Sequence, residues 1–179
     1  MNNKIGAIDL ANYIIWKAID FHKVGITNLK LQKLIYFTYA QHLVATKRKI
    51  FDEPIEKWQY GPVVPSVYHA FKDYGVYEIN QTKSKFSIDL STGKPVLKTE
   101  NFDPAAIIFN DYIKLDVVNS EISKLIHKDA YELVEETHRH PMWAKYKDRI
   151  MSGERNIQYS DQELLDYFNP QNLNLYFHN

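Results

Sequence analysis

Histidine is the residue type here most able to do chemistry, and the spacing of the seven copies argues against a metal or catalytic centre. His138 and His140 lie two positions apart, which does not place both on one helical face. No HExxH motif occurs, and the carboxylates near the other histidines have no ligand spacing. His42 falls on the apolar face of a helix, four residues after Thr38, where a neutral, hydrogen-bonded core histidine is expected. His138 falls in the last turn of another helix, where the dipole and the free carbonyls favour a cation. A cysteine nucleophile is excluded by composition, and there is no G-x-S-x-G elbow, Walker loop or glycine-rich phosphate cradle. Glu135 and Glu136 are neighbours on a polar helix face, and solvation explains them. The expectation is a chain with no catalytic residue, no metal site and no cofactor.

Aromatic chemistry is the stronger signal. Trp58, Tyr60 and Tyr68 surround the Gly61-Pro62 pair, with Trp143 beyond Pro141. Such residues are commonly core. A Gly-Pro turn ringed by Trp and Tyr is also what a protein-binding hot spot looks like. Both readings stand at this point.

The elements that must position these residues are mostly helical. Ile8, Ala11, Ile15, Ala18 and Ile19 recur at three- and four-residue steps, predicting a helix over 7–21 that Gly25 stops. Thr27 or Asn28 caps a second helix running to about Thr46, and its apolar content makes it a buried one. Residues 55–60 read as extended, Gly61-Pro62 as a turn, and Pro65 as the first turn of a helix over 66–74. Alternation of Phe86, Ile88 and Leu90, then a Ser91–Lys94 turn and Val96, predicts a hairpin over about 83–98. A helix is expected from Asp103-Pro104 to about Asn119, with Ser120 capping the next turn, and another over 129–139 ended by Pro141. Ser160-Asp161-Gln162-Glu163 is a capping box opening a last helix to Phe168, followed by a tail over 169–179. The fold class is therefore mainly α, a compact helical domain over 1–179 with one small β-hairpin.

Composition bounds the rest. A chain of 179 residues with 45% hydrophobic and 14% aromatic residues can bury a sizeable core. No targeting signal or apolar run long enough for a bilayer is present, so no membrane association and a cytoplasmic location are expected. Lys+Arg and Asp+Glu balance at 22 each, but unevenly along the chain. Lys23, Lys30, Lys33, Lys47, Arg48 and Lys49 occupy a stretch without acids, while 98–136 holds nine acids against four cations. These regions either face each other in the fold or steer a charged partner. A winged-helix arrangement would use 66–74 as reader, yet that segment offers only Lys72 beside Asp73 and no Arg for guanine. Nucleic-acid binding by this chain alone is thus the minority alternative.

Four segments carry a resemblance: LQKLIYFTYAQHL (31–43), FDEPIEKWQYGPVVPSVYHAF (51–71), ELVEETHRHPMW (132–143) and YSDQELLDYF (159–168). Together they resemble the Panacea-domain family of SocA-like antitoxins, also met as phage-associated proteins. The resemblance implies a mostly helical cytoplasmic protein that neutralises a protein toxin encoded nearby, by direct contact and without catalytic residues. It also implies an alternative, an adaptor that delivers the toxin to a protease. On this reading Trp58, Tyr60, Gly61, Pro62, Tyr68, His138 and Trp143 form the partner-binding corner. The competing reading is that Gly61-Pro62 packs against 137–143 and holds the fold together.

Overall fold

The computed structural model describes residues 4–91 and 93–169. The expected tail beyond Asn169, and Thr92 in the expected Ser91–Lys94 turn, lie outside the described residues. In chain order the elements are α1 (Ala7–Trp16), α2 (Asn28–Thr46), β1 (Glu56–Trp58), β2 (Gly61–Val63), α3 (Pro65–Phe71), β3 (Lys85–Asp89), β4 (Val96–Glu100), α4 (Ala105–Ile108), α5 (Leu115–Leu125), α6 (Ala130–Arg139), α7 (Pro141–Ala144), α8 (Lys147–Met151) and α9 (Asp161–Phe168). The architecture is mainly α with two small antiparallel strand pairs.

Helix α2 is the axis of the molecule. Thr27 caps it by accepting the Lys30 amide at 3.3 Å, and α1, α5, α6, α9 and β2 pack around it. Enclosure on all sides explains why its sequence has no amphipathic stripe, with Leu31, Leu34, Ile35, Tyr36, Phe37 and Ala40 all buried. Helix α1 continues into a π-helical turn (Lys17–His22), and the left-handed Lys23 (φ 53°) ends it two residues before the expected Gly25. Asp129 with Glu132 boxes the start of α6, and Ser160 with Glu163 boxes the start of α9 as the sequence indicates.

Three local expectations are corrected. The helix expected over 104–119 is broken after α4. Asn110 Oδ1 accepts the Tyr112 amide at 3.0 Å, forming a turn that competes with helix, and His42 Nε2 accepts the Lys114 amide at 3.2 Å. Helix α5 begins only after that, so Ser120 lies inside it rather than at a cap. Beyond Pro141 the chain forms α7 and α8, which the sequence reading left unassigned.

The third correction concerns Gly61-Pro62. Trp58 pairs with Gly61 and Lys57 with Pro62, so the reversal falls on Gln59-Tyr60 and Gly61-Pro62 begins the return strand β2. This is a second hairpin besides the expected one, which spans β3 and β4 with five pairs from Lys85↔Glu100 to Asp89↔Val96.

Candidate functional site

Hairpin β1–β2 is the feature that the aromatic signal pointed to, and two layers of side chains hold it. The first comes from α2, whose Asn28, Gln32 and Lys33 are polar residues inside an otherwise apolar helix. Gln32 Oε1 accepts the Val64 amide at 2.9 Å, and its Nε2 donates to Asn28 Oδ1 at 2.9 Å. Asn28 Nδ2 in turn donates to the Tyr68 carbonyl at 3.0 Å. Lys33, fully buried, donates from Nζ to the Pro62 carbonyl at 3.0 Å. Burial pushes this ammonium down to about 7, because no carboxylate offsets its desolvation.

The second layer comes from α6 and α7. Trp143 Nε1 donates to the Trp58 carbonyl at 3.0 Å, and His138 Nε2 donates to the Gln59 carbonyl at 3.1 Å. The His138 ring stacks on Trp143, centroids 3.7 Å apart and planes 15° from parallel. Burial lowers the His138 pKa, opposed by its bond to Gln59 and aided by the Lys33 charge. Nε2 thus carries a proton toward the carbonyl, and burial works against the dipole-favoured cation expected from the residue's place in the helix. Gly61 is the contact between the layers. Its φ is +89°, and a Cβ there would sit 2.5 Å from Thr137 Oγ1 and 3.2 Å from Lys33 Cε. Only glycine combines that backbone conformation with that approach.

The seven sequence-selected residues thus divide by task. Gly61, Pro62, His138 and Trp143 are inside the clamp. Trp58, Tyr60 and Tyr68 line a groove of about 490 Å³, together with Val63, Met151 and residues of the 153–156 turn. Trp58 belongs to both groups. Its carbonyl is clamped, its indole Nε1 donates to Glu56 at 2.7 Å, and its ring meets the edge of Tyr68 at 5.0 Å. Tyr60, at the hairpin tip, is 54% exposed, and Met151 across the groove is 55% exposed.

Charge in the groove is positive. Lys72 and Arg155 line it, while the lining acid, Glu154, is engaged by Arg149, whose Nε donates to it at 2.7 Å, and the nearby Glu56 is bonded by the Trp58 indole. Lys57 on the groove floor is 3% exposed and donates to Glu163 at 3.0 Å, with the Tyr159 ring 4.4 Å from its Nζ. Several cations of the basic first third are engaged within the fold. Lys30 is buried and donates to the Ile126 carbonyl at 2.5 Å at the end of α5, and Arg48 lies over the Tyr112 ring. Lys49 pairs with Asp161 at 2.8 Å.

Two further histidines, His42 and His140, have structural partners. His42 Nδ1 donates to the Arg48 carbonyl at 3.1 Å while Nε2 accepts from Lys114, a satisfied core histidine as its position implies. His140 turns away from His138 to meet the Tyr36 hydroxyl at 3.0 Å, and burial drives its pKa down to about 4. Among the described residues, no group of three or more His, Asp and Glu side chains is placed to hold a metal ion. No described helix is long and apolar enough to cross a membrane.

The polar ridge Asn28–Gln32–Lys33, the Tyr36–His140 pair and Met151 are the site residues that the sequence reading overlooked. The available signal was the placement of Gln32 and Lys33 in the middle of LQKLIYF, since buried polar residues in an apolar helix require partners.

Fold and groove define a class of molecule, a helical scaffold presenting an aromatic hairpin beside a groove that Lys72 and Arg155 line. Residues 31–144 match the family described as Antitoxin SocA-like, Panacea domain, and the chain belongs to that family. It is 38% identical over 82 residues to Antitoxin SocA of Caulobacter vibrioides (strain NA1000 / CB15N). That match covers 45% of this chain and 43% of the relative, so the chain spans less than half the length of the relative it matches. No solved structure matches it.

Proposed function

We propose that this protein is an antitoxin that neutralises a protein toxin encoded nearby by direct, non-catalytic contact, and that the groove beside Trp58, Tyr60 and Tyr68 receives the toxin. Family membership supports the antitoxin role. One observation carries the choice of surface: an exposed tyrosine stands at the tip of a hairpin whose backbone is clamped on both sides. Binding hot spots favour aromatic anchors held at low entropic cost, and the clamp supplies that rigidity before any partner arrives. The cations Lys72 and Arg155 favour a toxin segment of negative charge. The protein acts in the cytoplasm, where a toxin and its antitoxin meet.

The test is co-expression of each neighbouring gene with and without this chain, followed by purification of the complex. A neighbour that is toxic alone, rescued by the chain and co-purified with it is the expected result. Rescue that disappears when a host protease is deleted would instead assign the chain to delivery of the toxin for degradation. Absence of any toxic neighbour would overturn the proposal.

A further inference from the structure

Hairpin β3–β4 takes no part in the groove. All of β4 and four of the five residues of β3 are exposed, with only Asp89 half-buried. A two-stranded ribbon without a packed face is marginal in water, and further strands or a covering layer stabilise it. Its alternation places Phe86, Ile88 and Leu97 on one face, 69%, 65% and 66% exposed. Lys85, Ser87, Asp89 and Lys98 share the other, where Lys98 pairs with Asp89 and Lys85 reaches Asp9 of α1, both at 2.6 Å.

Among the described residues the sheet has two strands, so β3 offers one backbone edge without a neighbouring strand. Edge strands are ordinarily protected by proline, a bulge or a charge on the apolar face. Strand β3 has no proline, its register is unbroken over five pairs, and no charge lies on its apolar face.

We propose that this edge pairs with the same edge of a second copy of the chain, forming a four-stranded antiparallel sheet about a two-fold axis at Ser87. The sequence of β3 selects the occupant. Set antiparallel against itself about Ser87, Lys-Phe-Ser-Ile-Asp brings Lys85 opposite Asp89 and Phe86 opposite Ile88, each twice by symmetry. Strand β4 set against itself about its central residue brings Lys98 opposite Lys98, a like-charge pair. An offset of one residue in β3 would put the apolar face of one copy beside the charged face of the other. Edge, register and partner thus follow from the same five residues. Lys85 and Asp89 keep their intrachain partners, since an ammonium has three donors and a carboxylate several acceptor sites. One strand pair is a small interface, so the dimer is weak and reversible.

The chain contains no cysteine, which makes cross-linking decisive. Opposed residues in an antiparallel pair have Cα atoms about 4.5–5.5 Å apart, inside the range a disulfide spans. Under oxidation, Ser87→Cys should yield a covalent dimer and Thr99→Cys on β4 should not. Wild-type protein should sediment as a concentration-dependent monomer–dimer mixture. Ile88→Lys, at an exposed position, should raise the dissociation constant at least about tenfold with an unchanged circular dichroism spectrum. A wild-type chain that stays monomeric at every concentration overturns the proposal. So does equal cross-linking of the two cysteine variants, or Ser87→Cys linking to a co-expressed toxin instead of to itself.

Discussion

Replacing Lys33 by Met should change how stability responds to pH. Lys33 is buried with a single carbonyl acceptor, and its pKa falls from 10.5 to about 7. Between those values the unfolded chain holds a proton that the folded chain has released. Stability therefore rises with pH across that window, and the cost of burying the ammonium is fully present below pH 7. The slope contributed by this one residue is about 1.4 kcal/mol per pH unit, with a ceiling near ~5 kcal/mol over the window. Methionine fills similar volume and removes the titration. It also leaves the Pro62 carbonyl without its donor, at a cost of about 1–3 kcal/mol that does not vary with pH. Urea denaturation of both proteins from pH 6 to pH 10.5 measures the effect. The difference in unfolding free energy, wild type minus variant, should grow steadily with pH above 7, where titrations not coupled to Lys33 cancel. A difference that is flat with pH would show that Lys33 keeps an ordinary pKa, and would refute the picture of an unpaired ammonium beneath the hairpin.

Other consequences follow from the same geometry. Gly61→Ala meets both a positive φ and the Thr137 hydroxyl, and should cost about 2 kcal/mol by chemical denaturation, with Gly75→Ala, which is open to solvent, costing less. His140 titrates near 4 when folded and 6.5 when unfolded, so its contribution is complete above pH 6.5 and is lost as pH falls toward 4. In His140→Phe that acid-side decline should be shallower by up to about 3 kcal/mol, measured by urea denaturation from pH 7 down to pH 4. Trp143 is 3% exposed and bonded to the Trp58 carbonyl; Trp143→Ala should cost about 3–5 kcal/mol, visible as a large drop in melting temperature before any effect on binding is interpreted.

Much of the frame was legible because it depends on local chemistry. The Ser160 capping box, the first-turn Pro65 and the stop at Pro141 act over a few residues, and each stands where the sequence places it. The alternation of Phe86, Ile88 and Leu90 marked β3 correctly. What escaped was set by distant contacts. Residues 109–114 interrupt the expected helix partly through the local Asn110 turn and partly because His42, far away on α2, takes the Lys114 amide. Gly61-Pro62 has the composition of a turn but begins the return strand, and its packing against 137–143, one of the two readings open in the sequence, is what its close approach to Thr137 on α6 bears out. The aromatic cluster was recognisable from residue types alone. Its division into clamp and groove wall was not, since Trp143 faces a carbonyl 85 residues earlier while Tyr60 faces solvent.

The most direct test of the central claim is the affinity of purified wild-type and Tyr60→Ala proteins for the neighbouring toxin by calorimetry, with the melting temperature of each measured alongside. The groove reading predicts binding at least about tenfold weaker for Tyr60→Ala at an unchanged melting temperature. Unchanged affinity, with the variant equally stable, would contradict it and move the toxin to another face of the protein.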